Sequence, residues 1–197
     1  MLSQGIAGPR FEKPEEVVEW MGAMQAQDIR AAKWAVGLRI ASPSLTAVQE
    51  ALDTGRILRL HVMRPTWHYI PGRDIKWMTG LSTKGLLSKF RFYAKHFSLT
   101  EEDFLRSKPQ IEEVLSGQHL TSQEVLEQLH SKGIALDEPI VKMYLSFGEA
   151  DGTVCSGIEK NGKHTYALTC ERIPDAIELS HEAVSYTHLT LPTSDLV

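Results

Sequence analysis

One succession of elements occurs twice in this chain, and that repetition constrains its fold more than any other feature. Pro14-Glu15-Glu16 starts a helix, with proline in the first turn and acids at the positive end of the dipole. Val17, Val18, Met21 and Met24 then recur at helical spacing. Ile29, Ala32, Val36 and Ile40 mark a second helix, which Asp28 is placed to cap. Leu45, Val48 and Leu52 mark a third, ended by Gly55. Residues 57–62 alternate, with Arg59 and His61 on one face and Leu58, Leu60 and Val62 on the other. A second short strand over 64–70 puts Arg64, Thr66 and His68 on one face, Trp67 and Tyr69 on the other.

The order then starts again. Thr100-Glu101-Glu102-Asp103 opens a helix towards Gly117, and Thr121-Ser122-Gln123-Glu124 is a capping box for the next, with Gly133 after it. A third helix follows Pro139, with Ile140, Met143, Tyr144 and Phe147. Residues 153–158 and 164–169 flank Asn161-Gly162, the strongest short hairpin signal. Three helices and a hairpin, twice, predict an α+β, mainly α protein made of tandem winged helices. Residues 1–82 form the first unit, and residues 83–183 a linker helix and the second. Pairing outward from Asn161-Gly162 puts Cys155 across from Leu168, so Cys155 and Cys170 are expected as free thiols.

Between the units, residues 71–81 read as one helix. Residues 84–97 read as another stretch, with Phe90, Phe92, Tyr93 and Phe97 among basic residues. Aromatics at helical spacing suit a core; interleaved with cations they also suit stacking on bases. The net charge of −4 conceals a division: residues 56–95 hold nine basic side chains and one acid, Asp74, so this band is +8 and the remainder −12. A basic band in an acidic chain points to an acidic partner such as double-stranded DNA.

Met24-Gln25-Ala26-Gln27-Asp28 is the candidate site. On a regular helix, residues two apart point roughly 200° from each other, so two glutamines serving one site require a helix end or an extended turn. The alternative is a pair of solvated polar residues at a helix terminus. A Gln amide does not titrate, but it can hold water or a base edge with one acceptor and two donors. Asp28 has the better chemistry for a general base, and its capping role explains it equally well.

No apolar run spans a bilayer and no signal-peptide pattern is present, so a cytoplasmic protein without membrane contact is expected. His61 and His68 lack partners at metal-ligand spacing, and no metal or cofactor is expected. Residues 185–197 contain no Lys, Arg or Glu. They resemble translated adapter read-through, so 184–197 is expected to be non-native and the natural protein to continue past 183.

Several stretches together carry a family resemblance: Gln25-Ala26-Gln27-Asp28, Ala35-Val36-Gly37-Leu38-Arg39, Ala51-Leu52-Asp53-Thr54-Gly55-Arg56, Arg64-Pro65-Thr66-Trp67-His68, Cys155-Ser156-Gly157 and Thr165-Tyr166-Ala167-Leu168. Over residues 2 to about 183 the chain resembles the AlkZ-like DNA glycosylases, usually labelled winged helix DNA-binding domain proteins. The resemblance implies a bacterial DNA-repair hydrolase, monofunctional, that excises alkylated purines, in some members from interstrand crosslinks. It implies a C-shaped molecule with a Gln-aliphatic-Gln catalytic motif, matched by Gln25, Ala26 and Gln27. The family's later region, with a further winged helix, is absent here. Face alternation adds Arg59, His61, Arg64 and His68 as expected DNA-binding or site-facing residues. The competing readings are a non-catalytic winged-helix regulator and a protein-interaction scaffold.

Overall fold

The computed structural model describes residues 5–6 and 11–179. The expected read-through tail lies outside the described residues. Helix α1 (Pro14–Met21) is entered through Glu16, whose Oε2 accepts the Glu12 and Lys13 backbone N–H groups. It stops at Gly22, which takes φ +71. The apolar spacing extends the helix through Met24, but Met24–Gln25 is instead strand β1, and Met24 is buried from the strand. Helix α2 (Ile29–Gly37) starts on Asp28, whose Oδ1 accepts the Ala31 N–H at 3.0 Å. Helix α3 (Leu45–Asp53) starts on Ser44, which accepts the Ala47 N–H at 3.1 Å. Strands β2 (Ile57–His61) and β3 (Trp67–Pro71) complete an antiparallel sheet in the order β1-β3-β2. This winged-helix arrangement closes over Val17, Val18, Val36, Val48, Ile57 and Tyr69.

The second unit repeats the plan with α5 (Glu101–Leu115), α6 (Ser122–Ser131), α7 (Glu138–Asp151), β4 (Val154–Ser156) and β5 (Tyr166–Leu168), followed by the short α8 (Thr169–Arg172). Thr100 with Asp103, and Thr121 with Glu124, form the capping boxes that open α5 and α6. Leu120 bridges to Tyr166, so β5 lies between Leu120 and β4, the order of the first sheet again. The register differs from the sequence expectation by one residue: Cys155 faces Ala167, not Leu168. Lys160 and Lys163 do pair across Asn161-Gly162. Above them Gly157 and Ile158 both bond Thr165, through its carbonyl and its hydroxyl. Two residues opposite one make a β-bulge, and the bulge shifts every pair beyond it.

One helix joins the units. The two stretches read separately in the sequence are a single α4 (Ile75–Ala94), so a division at 82/83 cuts through its middle. Its buried stripe, including Met78, Ser82, Leu86, Phe90 and Ala94, lies along α7 and the first sheet. Strand β2 is buried on both faces, because Leu58, Leu60 and Val62 pack with Ile75, Met78 and Cys155. Further ties cross the seam. The Arg59 N–H donates to Ser156 Oγ at 2.9 Å, Lys33 pairs with Glu159 at 3.1 Å, and Arg172 donates to the carbonyls of Leu52, Asp53 and Ser156.

Gly72 packs against the chain that leaves α3. A Cβ there would sit 1.9 Å from the Gly55 carbonyl oxygen, and Gly55 itself takes φ +78. Backbone cannot give way as a flexible side chain does, so Gly72→Ala is expected to cost about 3 kcal/mol or more. Urea denaturation of the variant checks this; an unchanged midpoint would mean that the strand end is not held as described.

Candidate functional site

The Gln25-Ala26-Gln27 segment leaves the end of β1 and bends at Gln27. Gln25 pairs with His68 in β3, the Ala26 N–H donates to the Trp67 carbonyl at 2.7 Å, and the Trp67 N–H donates to Gln27 Oε1 at 3.3 Å. Met24 and Ala26 are buried while Gln25 and Gln27 are exposed. A strand end running into a bend, not a regular helix, is the geometry adopted, and it leaves both amides exposed two residues apart. Gln27 spends its oxygen on Trp67, which leaves its NH₂ free to donate. Gln25 has no hydrogen-bond partner among the described residues. Asp28 stands beside them as the cap of α2.

The segment is held from beneath by Arg59. Its Nε donates to the Ala26 carbonyl at 2.9 Å and its Nη2 to the Gln27 carbonyl at 3.3 Å, and its guanidinium lies 4.2 Å from the centre of the Trp67 ring. Burial pulls its pKa down, opposed by Tyr69 and Glu149 nearby. Arg59 is thus inside the protein, as is His68, and His61, also expected to face DNA, is partly covered. His61 Nδ1 lies 2.7 Å from Glu149 Oε2, and Glu149 is fully buried. His68 is buried, with Nδ1 donating to the Thr66 carbonyl at 2.8 Å.

These residues do not share a surface. Register partners across a sheet point the same way. Arg59 with Tyr69 and His61 with Trp67 therefore occupy one face, and His68 with Leu60 and Gln25 the other. Alternation within each strand was legible, but the second unit covers a face that a lone hairpin would leave in water. Arg64, at the tip between β2 and β3, remains exposed.

Five residues outside the expected set lie around these. Trp67 meets His61 at 4.1 Å and His164 at 4.5 Å between ring centres. His164 in turn meets Tyr166 edge-on at 4.6 Å. Glu149 falls in the α7 stripe Val141, Leu145, Glu149. A carboxylate in an apolar row at spacing four is the sequence signal for a buried polar seam. Glu159 reaches from the β4–β5 hairpin to an open depression beside Gln27, Asp28 and Lys33. Burial pushes the Glu149 carboxyl up, with His61 and Arg59 pulling it down, and lowers His164 to about 3. Among the described residues no group of three His, Cys, Asp or Glu is placed to hold a metal ion, and no helix is long and apolar enough to cross a membrane.

The profile of the family described as DNA glycosylase AlkZ-like matches residues 18–190. No curated protein matches the sequence. Among solved structures, Streptomyces sahachiroi DNA glycosylase AlkZ aligns with a TM-score of 0.69 at 20% identity, covering 91% of this chain and 50% of that one. At that identity the likeness is one of fold, and the chain spans about half the length of that protein.

His164 resists protonation in the folded state, while the unfolded chain takes the proton near the ordinary value of 6.5. The unfolded state therefore binds more protons between pH 6.5 and about 3, and stability falls with pH across that window. His68 and His119, also lowered by burial, act in the same direction. At pH 5 the His164 contribution amounts to about 2 kcal/mol. Thermal melts at pH 7.5 and 5 are expected to show a smaller difference for His164→Gln than for the unchanged chain; equal differences would remove His164 as the cause.

Proposed function

This chain belongs to the DNA glycosylase AlkZ-like family, and from that premise we propose that it hydrolyses the N-glycosidic bond of N7-alkylated purines in double-stranded DNA. The observation that carries the reading is the pair of amides, Gln25 and Gln27, both exposed at the end of β1 with Ala26 buried between them.

The chemistry asks for placement more than for acid–base strength. An N7-alkylated purine is already cationic. The C1′–N9 bond breaks with its electron pair passing to the purine, which leaves neutral and needs no general acid. The sugar passes through an oxocarbenium-like state, as in glycoside hydrolysis. Water adds at C1′ and its surplus proton goes to bulk water. Gln25 and Gln27 hold that water and the developing charge by position. Asp28, next in the chain, keeps one carboxylate oxygen on the Ala31 N–H.

The regulator reading finds less support. A winged-helix regulator reads the major groove with its recognition helix. Here α3 (Leu45–Asp53) carries no Lys or Arg, and α7 packs along α4. The units expected at 1–82 and 83–183 serve this proposal as one body, because the seam between them holds the glutamine segment.

Release of 7-methylguanine from a methylated duplex tests the proposal. The chain is expected to release base, and Gln25→Ala and Gln27→Ala each to lower the rate at least 100-fold, on the scale of losing a placed hydrogen-bonding group. Undiminished release by both variants would refute the assignment of the site.

A further inference from the structure

The nine basic side chains of residues 56–95 do not make one surface. Four are used within the fold: Arg56 pairs with Glu15 and Glu50, Arg59 is buried, Arg73 pairs with Glu19, and Lys76 pairs with Glu178. Arg64, Lys84, Lys89 and Lys95 are exposed and have no ion pair among the described residues. They lie close together in the fold. At the tip between β2 and β3, the Met63 N–H donates to Ser82 Oγ of α4 at 2.9 Å, which sets Arg64 beside the middle of that helix. Lys84 and Lys95 lie on one flank of its solvent-exposed arc, about 16 Å apart along the axis, and Lys89 lies on the other flank, roughly 140° round from Lys84.

The same side carries rings. Phe92 is 63% exposed, Tyr93 49% and Phe97 42%. Phe92 meets the edges of Tyr93 and His96 at 5.9 Å, so these rings pack on one another rather than into a core. Residues 75–100 contain no acid. Uncompensated cations spaced along a helix, with exposed aromatics between them, match a polyanion that also offers flat apolar faces.

We infer that the β2–β3 tip and the solvent side of α4 dock DNA, with Arg64, Lys84, Lys89 and Lys95 on phosphates and Phe92 and Tyr93 against sugars and unstacked bases. The inference rests on the DNA-acting reading above and relocates the contact from the buried Arg59 and His68 and the partly covered His61. Geometry favours DNA over an acidic protein. Arg64 lies three residues, at most about 10 Å of chain, from Trp67, whose N–H is bonded to the Gln27 side chain. A strand across the tip thus passes beside the glutamines.

Anisotropy of a labelled duplex with the full chain, titrated between 50 and 200 mM salt, tests this. Each phosphate contact contributes about 0.9 to the slope of log K against log salt, so Lys84→Ala/Lys89→Ala/Lys95→Ala is expected to lower the slope by about 2.7. The control, Lys108→Ala/Lys132→Ala/Lys142→Ala, removes equal charge from lysines in ion pairs elsewhere and is expected to keep the slope. Phe92→Ala/Tyr93→Ala is expected to keep the slope and lose about tenfold in affinity. Melting curves matching the unchanged chain exclude unfolding as the cause.

Equal slopes for the two lysine triples would overturn the surface while leaving the glycosylase reading standing. No binding by the unchanged chain would overturn both. Loss of self-association in the ring variant, with DNA affinity intact, would assign the rings to a second copy and overturn their place here.

Discussion

The Arg59 guanidinium sits where three parts of the molecule meet, and the geometry of the candidate site depends on it. Its Nε and Nη2 hold the carbonyls of Ala26 and Gln27, its face lies on Trp67, and its backbone N–H reaches Ser156 in the second unit. An arginine buried without partners costs several kcal/mol. This one is tolerated because its planar fork meets two carbonyls while its face stacks on a ring. A lysine has neither the fork nor the face. The non-helical form of the glutamine segment follows from this anchoring: with two consecutive carbonyls fixed from one side and β3 fixing the other, the chain cannot coil into α1.

Around that anchor the seam collects polarity that a plain core would exclude. Glu149 and His61 bond each other, and His164 meets Trp67 and Tyr166 edge-on. Tyr69 Oη, Glu149 Oε1 and His164 Nε2 are buried without partners among the described residues. Buried polar atoms without partners are costly, and natural folds keep few of them. Their concentration at the join of two units, beneath the segment that carries the glutamines, marks the place where this fold gives up stability for arrangement.

What the sequence disclosed follows the same physics. Helix starts were legible because a cap is local: Asp28, Thr100 and Thr121 bond N–H groups three residues on. Asn161-Gly162 made the turn for the same reason, both residues taking positive φ. The bulge at Gly157 was not legible, since it depends on how Thr165 meets two residues at once. Nor was the burial of Arg59 and His68, or the partial covering of His61. A strand with alternating polar residues reads as half-solvated, and only the docking of β4 and α7 onto it removes the water. The basic band read as one surface because charge was counted along the chain, whereas ion pairs with Glu15, Glu50, Glu19 and Glu178 are formed across it.

Backbone form and substrate class are linked through the glutamines. On a helix, Gln25 and Gln27 would diverge and could not address one atom. At a strand end held at Ala26 both are exposed, but neither amide can donate a proton to a leaving group of ordinary basicity or remove one from water. A site built from them is restricted to substrates that bring their own activation, as a cationic purine does. A strong acid or base at this position would broaden the chemistry to undamaged nucleotides. Neutral amides on a fixed strand give selectivity through the weakness of the groups, and that selectivity lasts only while the backbone beneath them does not move.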